Sequence, residues 1–149
     1  MSEPGYTPPD LALVGEEHVR RYLETDGEVG YLWNGVPALV LTTIGRKTGE
    51  PRQQALIFGR DGDNLVVIAS MGGAPRHPSW YLNLTANPEV EVQVKGDKYR
   101  ARARTASDPE ERQRLWALMT SIWPNYDVYA TRTTREIPVV VLEPQSKGA

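Results

Sequence analysis

The clearest pattern in this chain is alternation of polar and apolar residues. Positions 89–94 read Glu-Val-Glu-Val-Gln-Val and positions 99–104 read Tyr-Arg-Ala-Arg-Ala-Arg. A period of two predicts two strands, each with one apolar face. A two-residue Gly96-Asp97 turn would set Val94 opposite Tyr99, Val92 opposite Ala101 and Val90 opposite Ala103. The other face would then pair Gln93 with Arg100, Glu91 with Arg102 and Glu89 with Arg104. The arginine stripe thus reads as an ion-paired surface. Positions 38–43 and 53–58 form two further strand-like runs around a turn that holds Gly45, Gly49 and Pro51. Asp61-Gly-Asp-Asn64 is a turn signal before a strand at 65–70. Positions 137–142 make the last strand, with Pro138 at an edge or a strand start.

Helical spacing appears in three places. Over 10–26, Leu11, Val14, His18, Val19 and Tyr22 share one face, with His18 at its edge. This amphipathic helix either packs on the domain, lines a pocket or touches a membrane surface. Ahead of it, positions 1–9 carry Pro4, Pro8 and Pro9 and read as a loose tail. Positions 27–35, with Tyr31 and Trp33, read as a linker. The loop 71–78 holds two glycines and two prolines and leads into a short helix at 79–84, whose first amides offer an anion or carbonyl site. Asp108-Pro109 starts a longer helix, with Leu115, Leu118, Met119 and Ile122 as its stripe, widened by Trp116 and Trp123. Pro124 ends it. A further turn puts Tyr126 and Tyr129 on one face. About six strands joined by hairpins demand antiparallel pairing. The expected fold is therefore mainly β (α+β), a small antiparallel barrel with flanking helices, and positions 10–149 form one domain.

Composition narrows the chemistry. The chain has 149 residues, 17 basic and 19 acidic, with a net charge of −2. A nucleic-acid partner is not expected from that balance. There is no cysteine, and the two histidines, His18 and His77, are far apart in sequence. Thiolate chemistry is excluded and no metal site is expected. No apolar run approaches membrane-spanning length and no leader pattern precedes the domain. A cytoplasmic protein is expected, with peripheral membrane association through the N-terminal helix as the alternative. Any chemistry must use hydroxyls, carboxylates, amines or a cofactor.

The turn between the first two strand-like runs carries Arg46, Lys47 and Arg52. A rigid hairpin that holds two guanidinium forks and an ammonium, with turn amides nearby, suits a phosphate or carboxylate. The plain alternative is charge for solubility. Gly45-Arg-Lys-Thr48 is not a P-loop, because Arg46 stands where the second glycine belongs and a strand follows.

Four segments carry a resemblance in combination: Thr42-Thr-x-Gly-Arg-Lys-Thr-Gly-x-Pro-Arg52, Ala69-Ser-x-Gly-Gly73, Pro78-x-Trp-Tyr-Leu-Asn-Leu-x-Ala-Asn-Pro88 and Ile137-Pro-Val-Val140. Across positions 39–144 the chain resembles the deazaflavin-dependent nitroreductases and F420H2-dependent quinone reductases. The resemblance implies an antiparallel split β-barrel of the FMN-binding type. It implies hydride transfer from reduced coenzyme F420 to a small organic acceptor; for the assembly, a monomer and a homodimer are both open. Arg46, Lys47, Thr48 and Arg52 would hold the coenzyme's phosphodiester and carboxylates. Gln53, Gln54, Ala55, Leu56 and Ile57 would run along it. Ile68, Ala69, Ser70 and Met71 would sit against its ring, and Ser79, Trp80, Tyr81, Leu82 and Asn83 would close over it. Tyr126 would border cofactor and acceptor. Ser70, Tyr126 and Tyr129 are the candidate catalytic hydroxyls, orienting the acceptor and stabilising developing charge. Some members carry tyrosines where this chain has Ile57 and Trp123. That departure favours quinones, or conjugated enones and lactones of aflatoxin or coumarin type, over nitroaromatics. Two alternatives remain: an FMN oxidoreductase on the same fold, and a non-catalytic deazaflavin-binding protein.

Overall fold

The computed structural model describes residues 13–147. The expected tail at 1–9 and the start of the expected N-terminal helix lie outside the described residues. Helix α1 (Gly15–Thr25) is followed by β1 (Leu32–Trp33), β2 (Val36–Ile44), β3 (Pro51–Ile57), β4 (Gly59–Asp61) and β5 (Asn64–Ile68). A 3-10 turn (Met71–Gly73) leads to α2 (Ser79–Ala86), β6 (Glu89–Val94) and β7 (Asp97–Thr105). Helices α3 (Pro109–Ile122) and α4 (Asn125–Thr131) precede β8 (Val139–Lys147). Every strand pairing is antiparallel, in the order β1-β2-β6-β7-β8-β5-β4, with β3 on β2. The sheet curls into a split barrel with helices around it, as expected.

β5 and positions 139–142 of β8 are buried on both faces, which is why they read as unbroken apolar runs. Leu65, Val67, Val140 and Leu142 point into the barrel beside Leu39, Leu41, Val92 and Ala101. Val66, Ile68, Val139 and Val141 point outward under Leu115, Met119 and Trp123 of the α3 region. Asp108 caps α3 by accepting a hydrogen bond from the Glu111 amide at 3.1 Å. Gly59 permits the close approach of α3, since a Cβ there would lie 2.8 Å from the Met119 sulfur. Tyr22 fastens α1 to the barrel: its hydroxyl donates to the Ala38 carbonyl at 3.0 Å and accepts from the Lys95 amide at 2.7 Å.

Three expectations need correction. The hairpin turn between β6 and β7 is Lys95-Gly96, with Lys95 in the left-handed region (φ 54°), so the register moves by two residues. Val92 faces Tyr99 and Val90 faces Ala101, so the same faces stay buried. Arg102, not Arg104, therefore reaches Glu89, at 2.7 Å. Arg104 instead makes a forked pair with Glu111 (2.6 and 2.9 Å) and a bond to Glu143 at 3.2 Å. The short strands β1 and β4 were not foreseen; two- and three-residue segments carry too little pattern to read. His18 is buried rather than at the edge of its helix, and its Nε2 lies 2.8 Å from the Gly30 carbonyl oxygen. The apolar face of α1 packs on the barrel through Val19 and Tyr22. Among the described residues no helix is long and apolar enough to cross a membrane.

Candidate functional site

The β2–β3 turn is built first by its backbone. The Gly45 amide donates to the Glu50 carbonyl and the Gly49 amide returns to the Gly45 carbonyl, each at 2.8 Å. This tight loop turns Arg46 toward α2. There Asn83 accepts from the Arg46 amide at 3.2 Å and from its guanidinium at 2.8 Å, and donates to Thr43 at 3.3 Å. Asn83 is thus a buried brace that aims one cation. Gly45, Arg46, Lys47, Thr48 and Arg52 border a cavity of about 270 Å³ that also touches Gln54, Ser79, Trp80 and Asn83.

Most arginines elsewhere on the surface have acidic neighbours. Arg20 pairs with Glu17 and Glu24, Arg112 with Glu136 and Arg114 with Asp61. None of the ion pairs among the described residues involves Arg46, Lys47 or Arg52. Three cations held in one turn without a carboxylate partner repel one another, and an incoming anion relieves that repulsion.

Gln54, Ser79 and Trp80 also border a second cavity of about 490 Å³, so the cation cradle continues into a larger cleft. One wall is β3, through Ala55, Leu56 and Ile57; another is Ile68, Ser70 and Met71 at the end of β5. Opposite are His18, Trp33, Trp123, Tyr126 and Tyr129. The aromatic wall is continuous. The Trp33 and Trp123 rings lie 5.5 Å apart, the Trp123 indole donates to the Tyr129 hydroxyl at 3.4 Å, and the Tyr126 and Tyr129 rings meet edge to face at 6.1 Å. Gly73 (φ 83°) lets α4 come this close, for a Cβ there would stand 2.6 Å from the Tyr129 carbonyl oxygen.

The hydroxyls of Ser70 and Tyr126 have no hydrogen-bond partner among the described residues, yet no fully enclosed polar side-chain atom there lacks one. Both therefore open to the cavity. Burial holds the Tyr126 phenol well above the usual tyrosine range, so it stays protonated and can donate.

Of the residues expected at the site, Arg46, Lys47, Thr48, Arg52, Gln54, Ala55, Leu56, Ile57, Ile68, Ser70, Met71, Ser79, Trp80, Asn83, Tyr126 and Tyr129 border one cavity or both. Gln53, Ala69, Tyr81 and Leu82 border neither. Gln53 leans on the Thr42 hydroxyl at 3.4 Å, Ala69 is sealed in the barrel core, and Tyr81 binds Thr105 at 2.8 Å. A pocket lining was one of the readings open for the helix that carries His18; Trp33 was read only as part of a linker, and Arg135 was missed. The Arg135 guanidinium donates to the carbonyls of Ser70 (2.7 Å), Ala74 (2.8 Å) and Ala69 (3.3 Å), and to His77 Nδ1 (3.1 Å). It latches the loop that carries Ser70 and Met71. The apolar face of α1 was a signal for His18; nothing local marked Arg135.

A split barrel whose cation cradle runs into an aromatic-walled cleft defines a reductase of the flavin and deazaflavin type. The chain belongs to the F420H2-dependent quinone reductase family, whose model matches residues 14–144. It is 43% identical over 129 residues to an F420H2-dependent quinone reductase of Mycobacterium tuberculosis, covering 84% of this chain and 86% of that protein. Among solved structures it resembles an F420H2-dependent reductase at TM-score 0.67 and 39% identity, over 72% of this chain and 94% of that one. A second structure, described as a domain-swapped dimer, matches at TM-score 0.70 and 37% identity, over 85% and 95% of the two chains. The heme storage protein HutZ of Vibrio cholerae shares the fold at TM-score 0.58 and 17% identity, over 89% of this chain and 94% of that one. The chain is thus an F420H2-dependent reductase with reduced coenzyme F420 as its cofactor. Its residues fit that group: a flat aromatic ring suits the larger cavity, and an anionic tail suits the cations without carboxylate partners in the smaller one.

Proposed function

We propose that this chain reduces quinones, and secondarily conjugated enones and lactones, in the cleft between β3, the loop after β5, α1 and α4. The observation that carries the reading is the junction of the two cavities at Gln54, Ser79 and Trp80. It lets one elongated anionic cofactor span both, with a flat acceptor stacked beside its ring. When bound, reduced F420 supplies the hydride.

Arg46, Lys47 and Arg52 hold the phosphate and carboxylate end, with Asn83 setting the direction of Arg46. Leu56, Ile57, Ile68 and Trp33 keep water from the ring end, which strengthens every polar contact made there. The Ser70 and Tyr126 hydroxyls donate to the acceptor oxygen as it gains charge. Tyr129 accepts a hydrogen bond from the Trp123 indole, which leaves its own O–H free to donate to the acceptor beside Ser70 and Tyr126. Ile57 and Trp123 add apolar area without hydroxyls, which suits a quinone or an enone better than a nitro group with its two charged oxygens.

Anaerobic mixing of the protein with reduced F420 and a naphthoquinone tests this. The expected result is catalytic return of the oxidised cofactor's absorbance, slower with a coumarin-type lactone and slowest with a nitroaromatic. No turnover with any quinone, despite cofactor binding, would leave a deazaflavin-binding protein instead. Turnover with FMN in place of F420 would move the chain to the flavin branch, where a single phosphate leaves most of the cradle unused.

A further inference from the structure

We infer that His18 is the proton donor on the acceptor side of the cleft. The inference rests on the proposed reading of that cleft as the acceptor site. A carbonyl oxygen only accepts, so the 2.8 Å contact with Gly30 means that His18 Nε2 carries a hydrogen. The Nδ1 atom has no partner among the described residues, and no fully enclosed polar side-chain atom there is left without one. Nδ1 is therefore accessible, and the open space that His18 borders is the larger cavity. The seat is specific. A Cβ on Gly30 (φ 104°) would lie 3.0 Å from the imidazole Cδ2, and Trp33 stacks on the ring with centroids 6.4 Å apart. Trp33 is itself pinned by its indole bond to the Leu13 carbonyl at 2.7 Å.

Among the described residues, the cavity lining contains no Asp, Glu, Lys or Arg, and its titratable groups are His18, Tyr126 and Tyr129. β1, β3, the Met71–Gly73 turn and α2 present it no titratable group; α4 presents the two tyrosines. On its own helix, Glu17 is engaged by Arg20 and Tyr22 is turned to the barrel. Imidazole is the one lining group that ordinarily releases a proton near neutral pH. Reduction of a quinone needs it. A hydride leaves the product as a hydroquinone anion, one proton short. The Nδ1–H bond of imidazolium breaks and an O–H bond forms on the product oxygen. His18 is left neutral with its Nε2–H still on Gly30, and water then restores the proton at Nδ1.

The test compares parent and His18→Gln. Expected for the variant are an unchanged F420 titration, a quinone KM within a few-fold of the parent, and kcat lower by about 100-fold. The parent kcat should fall as pH rises, and that limb should vanish in the variant. A second measurement needs no turnover and no altered fold. NMR of the parent's two histidines, assigned with His77→Gln, is followed while 2-hydroxy-1,4-naphthoquinone, an anionic product mimic, is added. The His18 titration should move upward and the His77 titration should stay. A variant with parent kcat and pH profile, or a His18 titration that the mimic leaves unmoved, would overturn the assignment. A parent that reduces no quinone would refute the proposed function instead, and the NMR result would then decide His18 alone.

Discussion

Replacing Arg135 with methionine removes a latch while keeping most of the side-chain length. The guanidinium makes two short bonds, to the Ser70 and Ala74 carbonyls at 2.7 and 2.8 Å, and two longer ones, to His77 and the Ala69 carbonyl at 3.1 and 3.3 Å. A hydrogen bond from a charged donor contributes about 1.5–3 kcal/mol. Arg135 is only half-buried, so water replaces part of each bond once it is gone. Counting the short pair at the low end and the long pair at half of that gives about 4.5 kcal/mol. Solvent replacement lowers the expected loss to roughly 2–3 kcal/mol. For a chain of this size that is a fall of about 4–12 °C in melting temperature. The loss should be local first, because all four acceptors lie in one loop. Amide exchange over positions 70–78 should accelerate well before the barrel core does. Arg135→Lys should recover less than half of the stability, since one ammonium cannot fork to four acceptors. Unchanged melting together with unchanged exchange in that loop would refute the latch.

The remaining expectations concern the site. Lys47→Ala with Arg52→Ala should weaken F420 binding about 5–30-fold at low ionic strength and much less in molar salt, because exposed charges are screened; equal binding by variant and parent at low salt would contradict the cradle. Tyr126→Phe should leave stability within about 0.5 kcal/mol, as its hydroxyl has no partner among the described residues, and lower kcat for a quinone about 10–100-fold. Burial and the Arg135 charge hold the His77 imidazole below its ordinary 6.5, so folding favours its neutral form. The stability linked to His77 is therefore complete above about pH 6.5 and is lost as pH falls from there through the folded-state value. Chemical denaturation across pH 5–8 should show that loss in the parent and not in His77→Gln.

The β2–β3 hairpin was legible because its local chemistry and its long-range role agree: two apolar runs, turn glycines and cations all lie within two dozen positions. The α3 start was legible for the same reason, through Asp108 and Pro109. The β6–β7 register was not. Lys95-Gly96 and Gly96-Asp97 are both plausible two-residue turns, and a shift of two keeps every side chain on its face, so the hydrophobic pattern cannot choose between them. Arg135 was illegible because its partners lie about sixty positions earlier and are mostly backbone carbonyls, which carry no residue-type signal. His18 could be placed on an apolar face, but the pattern could not choose between packing, a pocket and a membrane surface. The rest of the cleft wall it joins comes from Trp33, Trp123 and α4, and only the folded chain brings them together. Asn83 shows the converse: its motif suggested cofactor contact, and the structure adds a brace that holds Arg46 in place.

The central claim is that one anionic deazaflavin spans the cation cradle and the aromatic cleft. Parallel fluorescence titrations of the purified protein with oxidised F420 and with FMN, at low and high salt, test it most directly. The account predicts tight F420 binding that weakens with salt, and FMN binding at least ten times weaker. FMN binding as tight as F420 binding, or F420 binding indifferent to salt, would contradict it.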